Sequence, residues 1–438
     1  MKSALCDRYG NALTTSSTTA RDHYVQALDL LLAAEARPVE AFENCVAADP
    51  GFALGHAGLA RARHMTGDAG GARKALARAQ RLSDGLGPRE AAHVEALSLL
   101  IASKPAAALQ AIRAHLSQHP RDALLAQACT GVFGLIGFSG LPGREAEQLA
   151  LTTTLLPHYG DDWWFLGQHA FAQCETGQID PADATVERAL ALNPRNANAA
   201  HIRAHVWYEA GDSAAGTAYL EDWLPGYDRA GMLHGHLSWH AALWALGDGD
   251  TAGMWRRIDA DIAPGVAQGL ALNVLTDMAS ILYRAELAGE KVAPERWTQV
   301  SDYAQRFFAE PGLGFADVHA ALAHAMAGRT EALEKIIKAP AGPAADLVGA
   351  LARGFREIAA QHWENAAQHF TSAMADHARL GGSRAQRDML EFALLSALLK
   401  LGRADEAQRI LALRRPVHDL ETVALRRNSR MSRQITLA

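Results

Sequence analysis

Two kinds of junction recur along this 438-residue chain, and together they leave room for little but stacked helix pairs. In the first, an amphipathic segment runs into a polar residue and a proline before another such segment begins. Examples are AFENCVAADPGFALGHA, AIRAHLSQHPRDALLAQA and VERALALNPRNANAAHI. Proline removes a hydrogen bond and clashes inside a helix but is accepted at its start, so it punctuates the chain. In the second, glycine and then Asp or Arg interrupts the pattern, as in MTGDAGGA, EAGDSAAG, ALGDGDTA, MAGRTEA and KLGRADEA. Glycine ends a helix because it turns left-handed without steric cost. Between junctions, apolar residues recur at three and four, as in ALDLLLAAEA and ARKALARAQRL, and no alternating strand pattern is present.

Helix, Gly turn, helix, Pro turn, at roughly 34 residues per unit, is the tetratricopeptide pattern. Its best copy runs from Trp163 to Pro194, with Gly177 closing the first helix and Ala182, Val186 and Ala189 packing the second. The expected fold is all-α: a tetratricopeptide-like helical-repeat solenoid, a right-handed superhelix of antiparallel helix pairs. Residues 1–19 read as a flexible N-terminus, 20–415 as a single solenoid and 416–438 as an arginine-rich tail.

Composition narrows the function classes. The formal net charge is −6 and no basic block stands out, so no nucleic-acid footprint is expected. No run approaches a membrane span, and the first residues lack a signal-type apolar region. Cys6, Cys45, Cys129 and Cys174 form no C-x-x-C spacing and read as reduced thiols, which suits the cytoplasm. Cys174, five residues from His169, is a candidate thiol, although a buried small hydrophobe is the plainer reading.

The stretch from Asn193 to Gly249 carries the clearest chemistry. His201 with His205, and His236 with His240, are pairs four residues apart on successive first helices, so each pair shares a face. With 19 histidines, chance gives roughly 0.8 such pairs, and the chain has three. The third, His115 with His119, lies at a helix end and reads as surface. Paired imidazoles can chelate one ion, so His201, His205, His236 and His240 are the candidate metal ligands, for a divalent transition metal with zinc first. Neither pair has the glutamate of H-E-x-x-H, which disfavours zincin-type catalysis.

Other polar residues share the first-helix register that would line a concave wall. His169, Asp317, His319 and Arg387 are the catalytic candidates. Trp239, Arg284, Ser383, Gln386 and Asp388 are the substrate-binding candidates. Each has a structural alternative: Asp317 and Asp277 as helix caps, Ser383 after Gly381-Gly382 as a helix start, Arg284 with Glu286 as an ion pair, the tryptophans as packing.

With these motifs in view, the chain resembles the tetratricopeptide repeat protein 38 family from about Ala41 to Leu401. The resemblance is carried by ADPGFALGHA, HPRDAL, GQHAFAQCETG, NPRNANAAHIRAHV, HLSWHAAL, DMASILYRAELAG, FADVHAALA and GGSRAQRD, the last being the most specific. It implies the repeat fold and points to His201, His205, His236, His240, Asp317, His319, Gln386, Arg387 and Asp388, without implying an activity. The chain departs at Asn196-Ala197-Asn198, where the family has Asp-Ala-Trp, and at Tyr208, where it has Glu. A different ligand is expected if those positions shape the choice.

Two readings follow. In one, the inner wall gathers a small-molecule site for a polar metabolite, with hydrolase, lyase or isomerase chemistry. The four histidines hold the metal, Asp317 and His319 move protons, and Arg387 holds a substrate carboxylate. In the other, the groove binds a protein or peptide partner as a scaffold, although its poverty in Lys weakens a carboxylate clamp. A homodimer is also possible.

Overall fold

The computed structural model describes residues 4–413. Among them the only β feature is one isolated antiparallel bridge, Cys6 to Ala12; every regular segment is helical. The helices follow one another in pairs, such as Ala53–Met65 with Ala69–Arg81, Trp163–Glu175 with Ile179–Leu192, and Ala345–Ala359 with Trp363–Met374. The fold is all-α and tetratricopeptide-like. No helix among the described residues is long and apolar enough to cross a membrane.

The Gly-Asp junction works in two steps. After the helix Ala197–Ala210, Gly211 takes a φ of 73°. Its N–H donates to the Tyr208 carbonyl at 3.2 Å, and that of Asp212 reaches back to the Trp207 carbonyl at 2.9 Å. This closes the helix in a Schellman arrangement. The Asp212 carboxylate then accepts the Ala215 N–H at 3.0 Å, capping the next helix. Asp68 and Asp250 do the same for Gly71 and Gly253, each at 2.8 Å. Ser103 and Gln361 make the same left-handed turn without glycine, at φ 55° and 59°. The prolines at 50, 120 and 194 fall in the short turns after Ala48, Gln118 and Leu192.

One expectation is corrected. The lead-in, over residues 4–17, is packed down rather than flexible. Leu13 N–H donates to the Leu5 carbonyl at 2.8 Å, and Tyr9 and Leu13 are buried. The Arg8 guanidinium lies over the Tyr9 and Trp163 rings and pairs with Asp29 and Asp162. Between residues 121 and 159 the pairing is irregular: the helix Ala123–Cys129 has only seven residues, because the glycine-rich stretch after it turns repeatedly before Arg144–Tyr159 begins. The tail at 416–438 lies outside the described residues.

The chain divides into two compact units. The first comprises residues up to Ser139, Glu145–Ile202 and Tyr227–Leu233; the second comprises Gly140–Arg144, Arg203–Gly226 and the chain from His234 onward. The first unit's core gathers Tyr24, Phe42, Phe52, Leu97, Ile112, Trp164 and Phe165, all at most 3% exposed. In the second unit, Gly216 is a point of close approach. A Cβ there would meet the ring of the buried Trp244 at 2.3 Å. Gly216→Ala is therefore expected to destabilise the chain by about 1–3 kcal/mol through overpacking. Denaturant midpoints measure this, and an unchanged midpoint would show that Trp244 yields freely.

Candidate metal centre

The helix Ala197–Ala210 carries His205, and the helix His234–Gly247 carries His236 and His240. Residues four apart stack on one helical face, so the second helix projects both imidazoles together. They meet the first. The His205 and His240 rings lie 4.6 Å apart at 78°, and those of His236 and His240 lie 5.1 Å apart at 76°. His201 stands one turn before His205 on the same helix, through which the division between units passes. Within the second unit, one ligand nitrogen from each of His205, His236 and His240 lies within 4.8 Å of the others, and all three residues are buried.

A third helix, Ala271–Leu287, turns a polar stripe inward: Asn273, Thr276, Asp277, Ser280 and Arg284 are all buried at helical spacing. Asp277 accepts the His236 Nδ1–H on both oxygens, at 2.9 and 2.8 Å. That bond fixes the tautomer and leaves the His236 Nε2 lone pair as the ligand. Burial pushes the Asp277 carboxyl up, while His236 draws it back. Trp239 stacks on His236 at 5.2 Å and 11°, and Trp244 packs on His240.

The residues expected to bind substrate are committed to the wall. Arg284 donates from Nε to Ser280, from Nη1 to the Tyr208 hydroxyl and from Nη2 to the Ala385 carbonyl at 2.6 Å. Its guanidinium lies 5.8 Å from the Trp239 ring centroid, and Trp239 itself is fully buried. Tyr208 donates to Asp388 at 2.9 Å. Ser383 and Gln386 form a reciprocal capping box at the start of the helix Arg384–Lys400. Arg387 donates to the Gly382 carbonyl at 2.5 Å, and Gly382, at φ +70°, leaves no room for a Cβ against Phe315. The GGS-x-AQRD segment thus builds a turn and a helix start.

The other catalytic candidates have local partners of their own. Asp317, in the first turn of the helix Gly314–Met326, accepts the N–H of Gly312 from the turn before it at 2.9 Å, and burial pushes its carboxyl up to about 6. His319 Nδ1 donates to the Phe315 carbonyl at 2.7 Å, which leaves Nε2 as a buried lone pair. Burial pushes this imidazole down to about 4, against the Phe315 bond and aided by Arg284. His169 belongs to the first unit and bonds the Thr152 hydroxyl at 3.0 Å. Cys174 is fully buried.

Sequence reasoning missed one cluster, in the first unit. Asp122 accepts from His93 Nδ1 at 2.9 Å, from His115 Nε2 at 3.0 Å and from Arg89 at 3.1 Å, all on one oxygen. His115, expected at the surface, is 5% exposed. The spacing of these atoms would also admit an ion. The guanidinium on the same oxygen already supplies the positive charge, so the cluster acts as a hydrogen-bonded clamp. The signal was weak because His93 and Asp122 sit 29 residues apart on different helices.

No protein-family model matches the chain. Among solved structures, it is similar to the human IFIT1 dimer with m7Gppp-AAAA, at 15% identity over 97% of this chain and 96% of that one, with a TM-score of 0.45. It is also similar to Naa15/Naa10 bound to HypK-THB, at 13% identity over 91% and 84%, with a TM-score of 0.29. Likenesses this distant assign no ligand and no activity.

Two acid groups give opposite pH signatures. For Asp122, burial pushes the carboxyl up, but His93 and His115 outweigh it and hold it below the usual range. Its stabilisation is therefore present above about pH 4 and lost as acid titrates the folded state. Asp122→Asn should cost about 3 kcal/mol at neutral pH and raise the acid-unfolding midpoint. Equal midpoints would remove the clamp. Asp317 is raised, so the fold favours its protonated form, and stability falls as pH climbs from about 4 through about 6. In Asp317→Asn, the loss of stability between pH 4 and pH 7 should shrink by about 2 kcal/mol. Urea titrations at the two pH values read the difference, and an undiminished loss would assign it to other groups.

Proposed function

We propose that this chain binds a divalent transition metal, zinc first, through His201, His205, His236 and His240. The observation that carries the proposal is the convergence of three buried imidazoles in the second unit, His205, His236 and His240, with His201 one helical turn before His205 on the same helix. Neutral imidazole nitrogens suit zinc, copper, iron or nickel over the harder magnesium and calcium. Asp277 adds the usual outer partner of a metal-bound histidine, and its buried charge gains from a cation beyond His236.

Four protein ligands close a tetrahedral zinc site, whereas catalysis needs an open position. His201 is the most exposed of the four, at 7%, and would be the one to leave a position open for water or substrate. Water on a dication loses a proton near neutral pH and becomes a nucleophile. We therefore read the site as one for hydrolysis of a small polar metabolite, ahead of lyase or isomerase chemistry. His319 Nε2, Gln386 Nε2 and Asn273 Oδ1 support a polar guest, because these buried atoms in the second unit have no hydrogen-bond partner. The two His pairs and GGSRAQRD favour membership of the tetratricopeptide repeat protein 38 family, and the unpaired cysteines favour a cytoplasmic setting.

Protein purified without chelator should retain about one metal ion per chain by mass spectrometry. His240→Ala should lose it, and Asp277→Asn should weaken zinc binding by about 10–100-fold. A chelator should abolish hydrolysis of an activated ester, and zinc should restore it. If the folded wild-type chain neither retains nor takes up zinc, the metal reading fails. The remaining reading is then a helical array that recognises a protein partner.

A further inference from the structure

The first unit holds a buried cation with no anion. Arg61, on the helix Ala53–Met65, is 8% exposed. Other arginines of this unit meet carboxylates: Arg8 with Asp29 and Asp162, Arg63 with Glu43, Arg89 with Asp122. Arg61, buried more deeply, meets none among the described residues. Its Nε and Nη2 donate to one amide oxygen, Gln127 Oε1, at 3.2 and 2.7 Å, and its Nη1 to His64 Nδ1 at 3.2 Å. Burial, with Arg61 adding to it, pushes the His64 imidazole down to about 4, so His64 is neutral at pH 7 and offers no charge.

An uncompensated guanidinium is among the least tolerated groups in a protein interior. Gln127 holds the Nε–Nη2 edge, so three of the five N–H groups are engaged and two remain. A second observation points the same way. Thr130, one turn beyond Gln127 on the chain, is 4% exposed, and its hydroxyl has no hydrogen-bond partner. A cation fixed by an amide and a buried hydroxyl donor together match the needs of an oxyanion.

We infer that Arg61, with Thr130, forms a binding site for the carboxylate or phosphate group of a small molecule. The site lies wholly in the first unit and does not depend on the metal reading. Gln127 is a positioning residue that orients the guanidinium fork.

The test is thermal unfolding of the full chain in inorganic phosphate or succinate, each against sodium chloride of equal ionic strength. At saturation, one of the two anions should raise the Tm by about 2 °C or more beyond the chloride control. The anion that does so identifies the ligand class. Arg61→Met should abolish the shift and, without anion, should be no less stable than the parent. Thr130→Val, which keeps the cation, should reduce the shift. The inference is overturned if neither anion acts on the parent chain, or if Arg61→Met retains the full shift. Should Arg61→Met not fold, an undiminished shift in Thr130→Val overturns the two-donor site, and a reduced one supports it.

Discussion

An imidazole can sit in a dry helical interior only if its nitrogens are assigned, and in the second unit Asp277 makes that assignment for His236. The bidentate bond sets which nitrogen is bare and which way the ring faces. Trp239 stacks against the ring so fixed, and Arg284 approaches Trp239. Arg284 in turn ties to Tyr208, and Tyr208 to Asp388. A run of polar and aromatic contacts thus extends from one carboxylate to another. In a low-dielectric setting such networks hold geometry well when each member is satisfied.

The first unit applies the same rule with a different outcome. Asp122 gathers two imidazoles and a guanidinium on a single carboxylate, and the charges there balance. The N-terminal segment leans on the same neighbourhood, since Arg89 also donates to the Ala12 carbonyl at 2.7 Å and Glu90 accepts the Thr14 N–H. Arg61 differs in having only neutral partners. One unit therefore contains a buried guanidinium paired with a carboxylate and another that is not.

The helix pairs were legible because the signals at their junctions are local. A glycine that must turn left-handed and an aspartate that caps the next helix are adjacent in the chain. Where Ser103 and Gln361 make the same turn, that signal is silent, and only the periodicity marks the boundary. The two histidine pairs were legible for the same local reason, since four residues make one turn. Partners from separate helices were not. Asp277 could be read as a cap, and nothing in the order of residues says that it meets His236. The flexible reading of residues 1–19 missed the packed stretch from residue 4 because Tyr9 packs on Tyr159 and Arg8 pairs with Asp162, both far along the chain. GGSRAQRD was conspicuous as a string, but a turn that excludes a Cβ and a helix start produce such a string as readily as a ligand does.

In most stacked-repeat proteins each repeat touches only its neighbours, so the ends fray and the middle survives. The second unit does not have that freedom. Tyr208 and Asp388 are 180 residues apart, and Arg284 bonds the Ala385 carbonyl 101 residues away. These bonds draw the last first-helix of the unit back to its beginning, as a clasp joins the ends of a bracelet. A closed circuit must find its distant ends before any of it is secure, which slows assembly. Once closed, helices at its two ends hold one another, so the unit should melt as one body and not repeat by repeat.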